Sequence, residues 1–255
     1  MLRALKQRIL ALGAVLTLFT IPVALLRPGL SPAWLVLGTV VALWASRLVR
    51  RSMAKLATRA LSRGDSKRAR RLYVFLGWTS LSSTARQACQ LSLAACAASE
   101  GRYELALNKL ARIESPLEGS LLAVSLNLRA YCLARDTQEF NRALALSEEA
   151  VSLRPQVPGF RHTRGLILLE LSRWDEALRD LEATWTEGPG DPLLESERCF
   201  DLGRLWSARG QRDYASDYFE RAFRAAPLSR WSEAAQPFLA VDAEAQDLQG
   251  LASLL

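Results

Sequence analysis

Two uncharged apolar runs open the chain, and beyond them a helical period governs the rest. Residues 9–26, ILALGAVLTLFTIPVALL, hold no charge over 18 positions, about 27 Å as a helix against a hydrocarbon core of about 30 Å. After an RPGLSP break, residues 33–46, AWLVLGTVVALWAS, are again uncharged. With residues 30–32 added, this second run reaches a spanning length if the bilayer thins slightly or the flanks snorkel. Ser31 and Pro32 read as an N-cap and a proline at the first helical position. Pro22 predicts a kink in the first run, and Trp34 and Trp44 near the ends of the second suit either the membrane interface or a neighbouring helix. A secretory signal shares the chemistry of MLRALKQR and the first run. No small-x-small site comes after Leu26, however, and the next segment is apolar again, which favours a retained two-helix hairpin. A re-entrant hairpin is the other reading, because both runs are short.

Past residue 46 the pattern turns amphipathic. RLVRRSMAKLATRALSRGDSKRARR, at 47–71, places Arg47, Arg51, Lys55 and Arg59 every four residues, a basic stripe on one helical face, with Leu48, Leu56, Ala57, Ala60 and Leu61 as the apolar remainder. No Pro or Gly interrupts residues 39–63, so the second run is predicted to continue as one helix until Gly64-Asp65 turns it back. Helical patterning then repeats. RWDEALRDLEATWTEGP at 173–189 and RDYASDYFERAFRAAP at 212–227 share an aromatic near the turn, an alanine after it, an apolar residue four later and a closing proline. Gly165 and Gly203 each lie twelve residues before that alanine. Marker alanines at 69, 106, 143, 177 and 215 are separated by 37, 37, 34 and 38 residues. The unit around Ala143, preceded by DTQEFNR and trailed by Ala150 and Pro155, is expected to need one extra residue in its turn.

These residues resemble the tetratricopeptide repeat (TPR) family. Leu202, Gly203, Trp206, Ala215, Phe219, Ala222 and Pro227 occupy its signature positions, with Cys199 where the leading Trp stands in the family. The unit before it supplies Gly165, Leu168, Ala177, Leu181 and Pro189, with Thr184 in place of a small alanine. The resemblance covers roughly residues 50–228 and implies antiparallel helix pairs stacked into a superhelix. It also implies a concave groove lined by the first helix of each unit. By register the groove positions are Asn127, Tyr131 and Arg135, then His162, Leu166 and Glu170, then Glu197, Phe200, Asp201 and Arg204. Such a mixture suits an extended peptide or a helix. The clamp by which some members hold chaperone C-termini cannot be assembled, since Leu91, Ala95, Ser92 and Leu128 stand where Lys and Asn are required.

Charge sharpens the topology. The net charge of +7 divides into +13 over residues 1–71 and −6 over the remainder. A nucleic-acid-binding domain needs basic residues spread over its folded surface, whereas here the repeats are acidic. The basic stretch is instead explained as the flank of an apolar span. Arg3, Lys6 and Arg8 precede the first run, Arg27 alone lies between the two, and Arg47, Arg50, Arg51, Lys55 and Arg59 come after the second. By the positive-inside bias both termini face the cytoplasm, and the basic flank favours anionic lipid.

Candidate chemistry changes little. The four cysteines, at 89, 96, 132 and 199, form no C-x-x-C pair and read as small buried hydrophobes. His162 is the single histidine, no phosphate-binding glycine motif occurs, and the carboxylate pairs Glu148-Glu149 and Asp175-Glu176 fall on predicted second helices. No catalytic residue, metal site or cofactor is expected. The expected architecture is all-α: a transmembrane hairpin over 1–46, a basic juxtamembrane hairpin over 47–84 as a degenerate first repeat, about four TPR-like repeats over 85–228, and a capping helix from Ser229 to Gln236 with an acidic tail over 229–255. The expected role is an inner-membrane scaffold or adaptor that binds protein partners in the cytoplasm and helps to assemble or regulate a membrane complex. The alternative is an integral subunit of a transporter, channel or envelope-polysaccharide export or synthase machine. There, small residues such as Gly13, Ala14, Thr17, Gly38, Thr39 and Ala42 would pack against other transmembrane subunits.

Overall fold

The computed structural model describes residues 32–113, 116–183 and 191–240, and all regular structure in them is helical. The first apolar run, Thr184, Pro189 and the tail from 241 onward lie outside the described residues. Helices α1 (Pro32–Ser62) and α2 (Ser66–Thr79) form the first antiparallel hairpin; next come α3 (Ser83–Ser99) with α4 (Tyr103–Ala111) and α5 (Gly119–Asp136) with α6 (Phe140–Leu153). The pairs α7 (Pro158–Glu170) with α8 (Trp174–Glu182) and α9 (Pro192–Ala208) with α10 (Arg212–Ala225) complete the stack. A last helical segment, α11, spans 230–240.

One turn geometry recurs in every hairpin. Gly64, Gly101, Gln138, Ser172 and Gly210 have left-handed φ of 81, 74, 56, 58 and 74°. Each precedes its marker alanine by five residues, and the second helix begins two residues after it. In four of these turns the next amide bonds back to the helix: Asp65 to the Ala60 carbonyl, Arg102 to Ala97, Arg173 to Leu168 and Gln211 to Trp206, at 2.9, 2.9, 2.9 and 3.0 Å. This is the Schellman closure, which satisfies carbonyls that the helix end would leave unpaired. The extra residue expected before Ala143 is therefore not there. Gln138 takes the left-handed conformation that glycine takes in three of the other turns, and the spacing is kept at that cost in backbone strain.

After the turn, the two helices of a hairpin lie close because small residues face each other. Ala69, Ala106, Ala143 and Ala177 are fully buried, and Ala215 nearly so. A Cβ built on Gly203 would lie 2.6 Å from Phe219 Cε1, and one on Gly165 would lie 2.9 Å from Leu181 Cγ. The core is accordingly a file of small clusters, each shared by adjacent hairpins. Ala130, Ala143 and Ile167 join α5, α6 and α7, and Leu168, Leu181 and Leu202 join α7, α8 and α9. At the end of the stack Phe200, Phe219 and Ala222 meet Trp231, Ala235 and Leu239 of α11. That capping helix does not stop at Gln236 as expected but runs through Pro237 to 240. Phe238, one residue past the proline, stacks on Phe219 with ring centroids 4.4 Å apart, which holds the extra turn in place.

The stack curls far enough to bring its ends together. Gly64 lies beside Leu193 at the start of α9, at 3.6 Å from a built Cβ. Between them is a cavity of about 450 Å³ whose lining includes Leu61, Ala98, Leu128, Leu194 and Trp231.

α1 departs from the rest. It is an unbroken 31-residue helix whose C-terminal half is sealed by Ala57 and Ala60 against Ala69, Tyr73 and Leu76 of α2. In its N-terminal half Leu37, Val40, Val41, Leu43 and Trp44, and just past its midpoint Leu48 and Val49, are each about half exposed or more. Among the described residues no helix is long and apolar enough to cross a membrane.

The close approach at Gly203 is directly testable. Gly203→Ala is expected to destabilise the stack by about 1–3 kcal/mol, because Phe219 is buried and has nowhere to move; an earlier midpoint in urea denaturation is the readout. Gln138→Gly is expected to shift the same midpoint the other way, by up to about 1 kcal/mol, through relief of left-handed strain.

Candidate functional site

The predicted groove residues sit on the first helices of three successive hairpins: Asn127, Tyr131 and Arg135 on α5, His162, Leu166 and Glu170 on α7, and Glu197, Phe200, Asp201 and Arg204 on α9. Curvature of the stack brings seven of their side chains into one polar network. Arg135 Nη2 donates to Glu197 Oε1 at 2.8 Å and to Asp201 Oδ2 at 3.2 Å. The Tyr131 hydroxyl donates to Glu197 Oε1 at 2.8 Å, and His162 Nε2 lies 3.4 Å from Asp201 Oδ2. Arg204 Nη1 donates to Glu170 Oε1 at 2.8 Å and stands 3.7 Å from Asp201 Oδ1. Three residues differ from the sequence expectation. Leu166 is fully buried and presents no surface. Phe200 belongs to the apolar cluster under α11. Asn127 stands apart, its Oδ1 buried without a hydrogen-bond partner among the described residues.

The groove is also filled. α11 lays Trp231 against the network, with the Arg135 guanidinium 4.4 Å and the Arg230 guanidinium 4.3 Å from the indole centroid. Arg230 donates to the Tyr103 hydroxyl at 2.8 Å and to the Tyr131 hydroxyl at 2.7 Å. The part of the concave face around Tyr131 and Arg135, which the sequence presents as open to a partner, is thus occupied by the chain's own C-terminal helix. Tyr103, Arg230 and Trp231 escape a reading by register, since the tail looks like an end cap. The one signal for them in the sequence is Arg230 itself, the single basic side chain between 228 and 255.

Burial and attraction compete throughout the network. Burial alone would raise the Asp201 carboxyl, but Arg135, His162 and Arg204 outweigh it and hold the group below the usual carboxylate range. Burial would likewise weaken the charge on Arg135, and Asp201 and Glu197 more than reverse that. The Tyr131 hydroxyl is pushed well up, by burial first and by the Glu197 charge second. All four cysteines are free thiols. Burial raises Cys96 to about 11 and Cys132 and Cys199 to about 12, so they stay protonated and unreactive near neutrality. No group of His, Cys, Asp and Glu suited to a metal ion occurs among the described residues.

The basic flank lies on α1. Arg47, Arg51, Lys55 and Arg59 lie along α1 and make no ion pair among the described residues. Arg50 is half-buried and donates to Ser80 Oγ at 2.7 Å.

No family model and no curated protein matches the chain. Among solved structures it is similar to YrrB, described as a TPR protein with an unusual peptide-binding site, at 18% identity and a TM-score of 0.42 over 72% of this chain and 90% of that one. It is also similar to MamA protein, at 17% identity and a TM-score of 0.39 over 69% of this chain and 91% of that one. The C-terminal part of a TPR repeat-containing protein from Cytophaga hutchinsonii is similar at 14% identity, with a TM-score of 0.40 over 68% of this chain and 64% of that one.

Arg135 is the hub of the network. Arg135→Ala leaves Glu197 and Asp201 buried without their main counter-charge and is expected to cost about 3–5 kcal/mol in chemical denaturation. Because the Asp201 carboxyl is depressed in the fold, its contribution is complete above the unfolded value of about 3.9 and is lost as pH falls further. Asp201→Asn should therefore flatten the acid limb of the stability profile, measured by thermal melts between about pH 5 and pH 2.

Proposed function

We propose that the chain is a protein-interaction scaffold held at a membrane by its N-terminal segment, with the hairpin stack on the cytoplasmic side. The observation that carries this reading is the division of α1. One half is core of the stack, the other carries the exposed apolar side chains Leu37, Val40, Val41, Leu43 and Trp44, and the basic stripe begins where the two meet. Exposed apolar side chains of this kind have a natural solvent in lipid, and Lys and Arg at the cytoplasmic end agree with the positive-inside bias. The first apolar run, outside the described residues, supplies the second leg of a hairpin anchor in this reading.

A scaffold rather than an enzyme is supported by what the polar side chains do. The clustered ionisable groups of the concave face bond one another, and the buried thiols are held protonated. Stacked helical hairpins are surfaces for binding other proteins. A partner that uses the concave face at Tyr131 and Arg135 has to displace α11 there, so its own aromatic and charged groups must replace those of Trp231 and Arg230. The alternative role, a working subunit whose transmembrane segment packs against other subunits, makes a separate demand on α1. A Cβ on Gly38 meets nothing within 4 Å among the described residues, so partner capture unchanged by Gly38→Leu points to a passive anchor, and reduced capture in a variant that still folds points to another subunit packed there.

Inverted membrane vesicles from cells expressing the full chain provide the test. The protein is expected to stay with the membrane through an alkaline carbonate wash, and added protease is expected to digest residues 72–255. Extraction by carbonate, or protection of the repeats, would contradict the reading.

A further inference from the structure

The exposed surface of α2 changes character along its length. Near the turn it shows Lys67, Arg68, Arg70 and Arg71; beyond them it shows Val74, Phe75 and Trp78, and then Leu81 in the loop to α3. Trp78 is 62% exposed and Leu81 55%, large apolar side chains with no cover among the described residues. Because α2 runs antiparallel to α1, this apolar end returns toward the membrane end of the first hairpin. Two contacts fix the register: the Thr58 and Tyr73 hydroxyls are 3.0 Å apart, and Arg50 reaches Ser80 Oγ at 2.7 Å. Ser80 is itself buried and donates to the Leu76 carbonyl at 2.5 Å, so the end of α2 is tied down at the height of Arg50. Along α1, Arg50 stands four residues past Ser46, the last position of the uncharged run, which is about 6 Å of helix rise.

Those heights put an indole and a leucine beside Arg47, Arg50 and Arg51 at the level where the apolar half of α1 ends. We propose that Val74, Phe75, Trp78 and Leu81 form a second membrane contact, lying in the headgroup layer of an anionic bilayer beside the exit point of α1. The inference rests on the membrane reading of α1 given above. Two features select lipid as the occupant. The patch is continuous in height with the exposed apolar side chains of α1, Leu43, Trp44, Leu48 and Val49 among them, and exposed basic side chains flank it on both helices. An indole rimmed by Arg and Lys is the composition that settles at the bilayer interface. A protein cover would have to fit around the anchor and meet that positive charge as well.

The test uses the full chain, carrying Cys89→Ala, reconstituted into liposomes of phosphatidylcholine and phosphatidylglycerol. The remaining native thiols are buried and resist labelling. An environment-sensitive dye is attached at Leu81→Cys or, as an independent position, at Trp78→Cys; both side chains are exposed, so neither substitution opens the core. The control is Arg63→Cys, exposed at the far turn, about 13 residues or about 20 Å further along α1 than Arg50. Flotation is measured first, then quenching by lipids spin-labelled at the headgroup or high on the acyl chain. The expected result is quenching at 81 and 78 at least about threefold stronger than at 63, as for a side chain held at headgroup depth. Floating protein in which 81 and 78 are quenched no more than 63 overturns the second contact and leaves the anchor standing. A dye shielded from water but untouched by lipid quenchers also overturns it, because protein then covers the patch. Failure to float overturns the anchor and the second contact together.

Discussion

Each hairpin depends on two helix axes coming close enough that side chains at the crossing must be nearly absent. The space at Gly203 is already filled by the Phe219 ring, and the five marker alanines are at or near complete burial. Close approach creates the need for a tight return, and the left-handed residue five positions before each alanine meets it. Turn, alanine and glycine are therefore one constraint seen at three places. It explains why separations of 34 to 38 residues between units leave the turn geometry unchanged: the difference is taken up away from the crossing, chiefly in the first helix of a unit, 17 or 18 residues in α3, α5 and α9 against 13 in α7.

Given this frame, the concave face becomes a problem in electrostatics. Curvature draws two carboxylates, Glu197 and Asp201, into low exposure, where isolated charge is costly. Arg135 answers both, and α11 closes the site by stacking Trp231 on that guanidinium. The C-terminal helix thus covers the last apolar cluster and shields the ion pairs from water at the same time.

These two layers are not equally legible in the sequence. The alanine and glycine positions can be read because their spacing is local and their chemistry narrow: nothing larger fits. The left-handed turn at Gln138 cannot, since no composition marks it, and an inserted residue looks necessary. Register finds the groove residues but not their state. Arg230 meets Tyr131 and Tyr103 across 99 and 127 residues, a pairing set by superhelical curvature, which no local pattern encodes. Leu166 fails as a groove residue for a similar reason, because the neighbouring hairpins bury the face that register alone leaves open.

α1 joins its packed half to its exposed apolar half without a break. It contains no glycine or proline between Thr39 and Arg63, and its half within the stack is locked by Tyr73 and Leu76. A tether of flexible residues would let the stack tumble and search a hemisphere. A continuous helix of about 46 Å instead makes the tilt of that helix the tilt of everything attached to it. The stack then keeps one bearing relative to whatever holds the N-terminal half of α1, and which partners it meets is decided by compass bearing as well as by affinity.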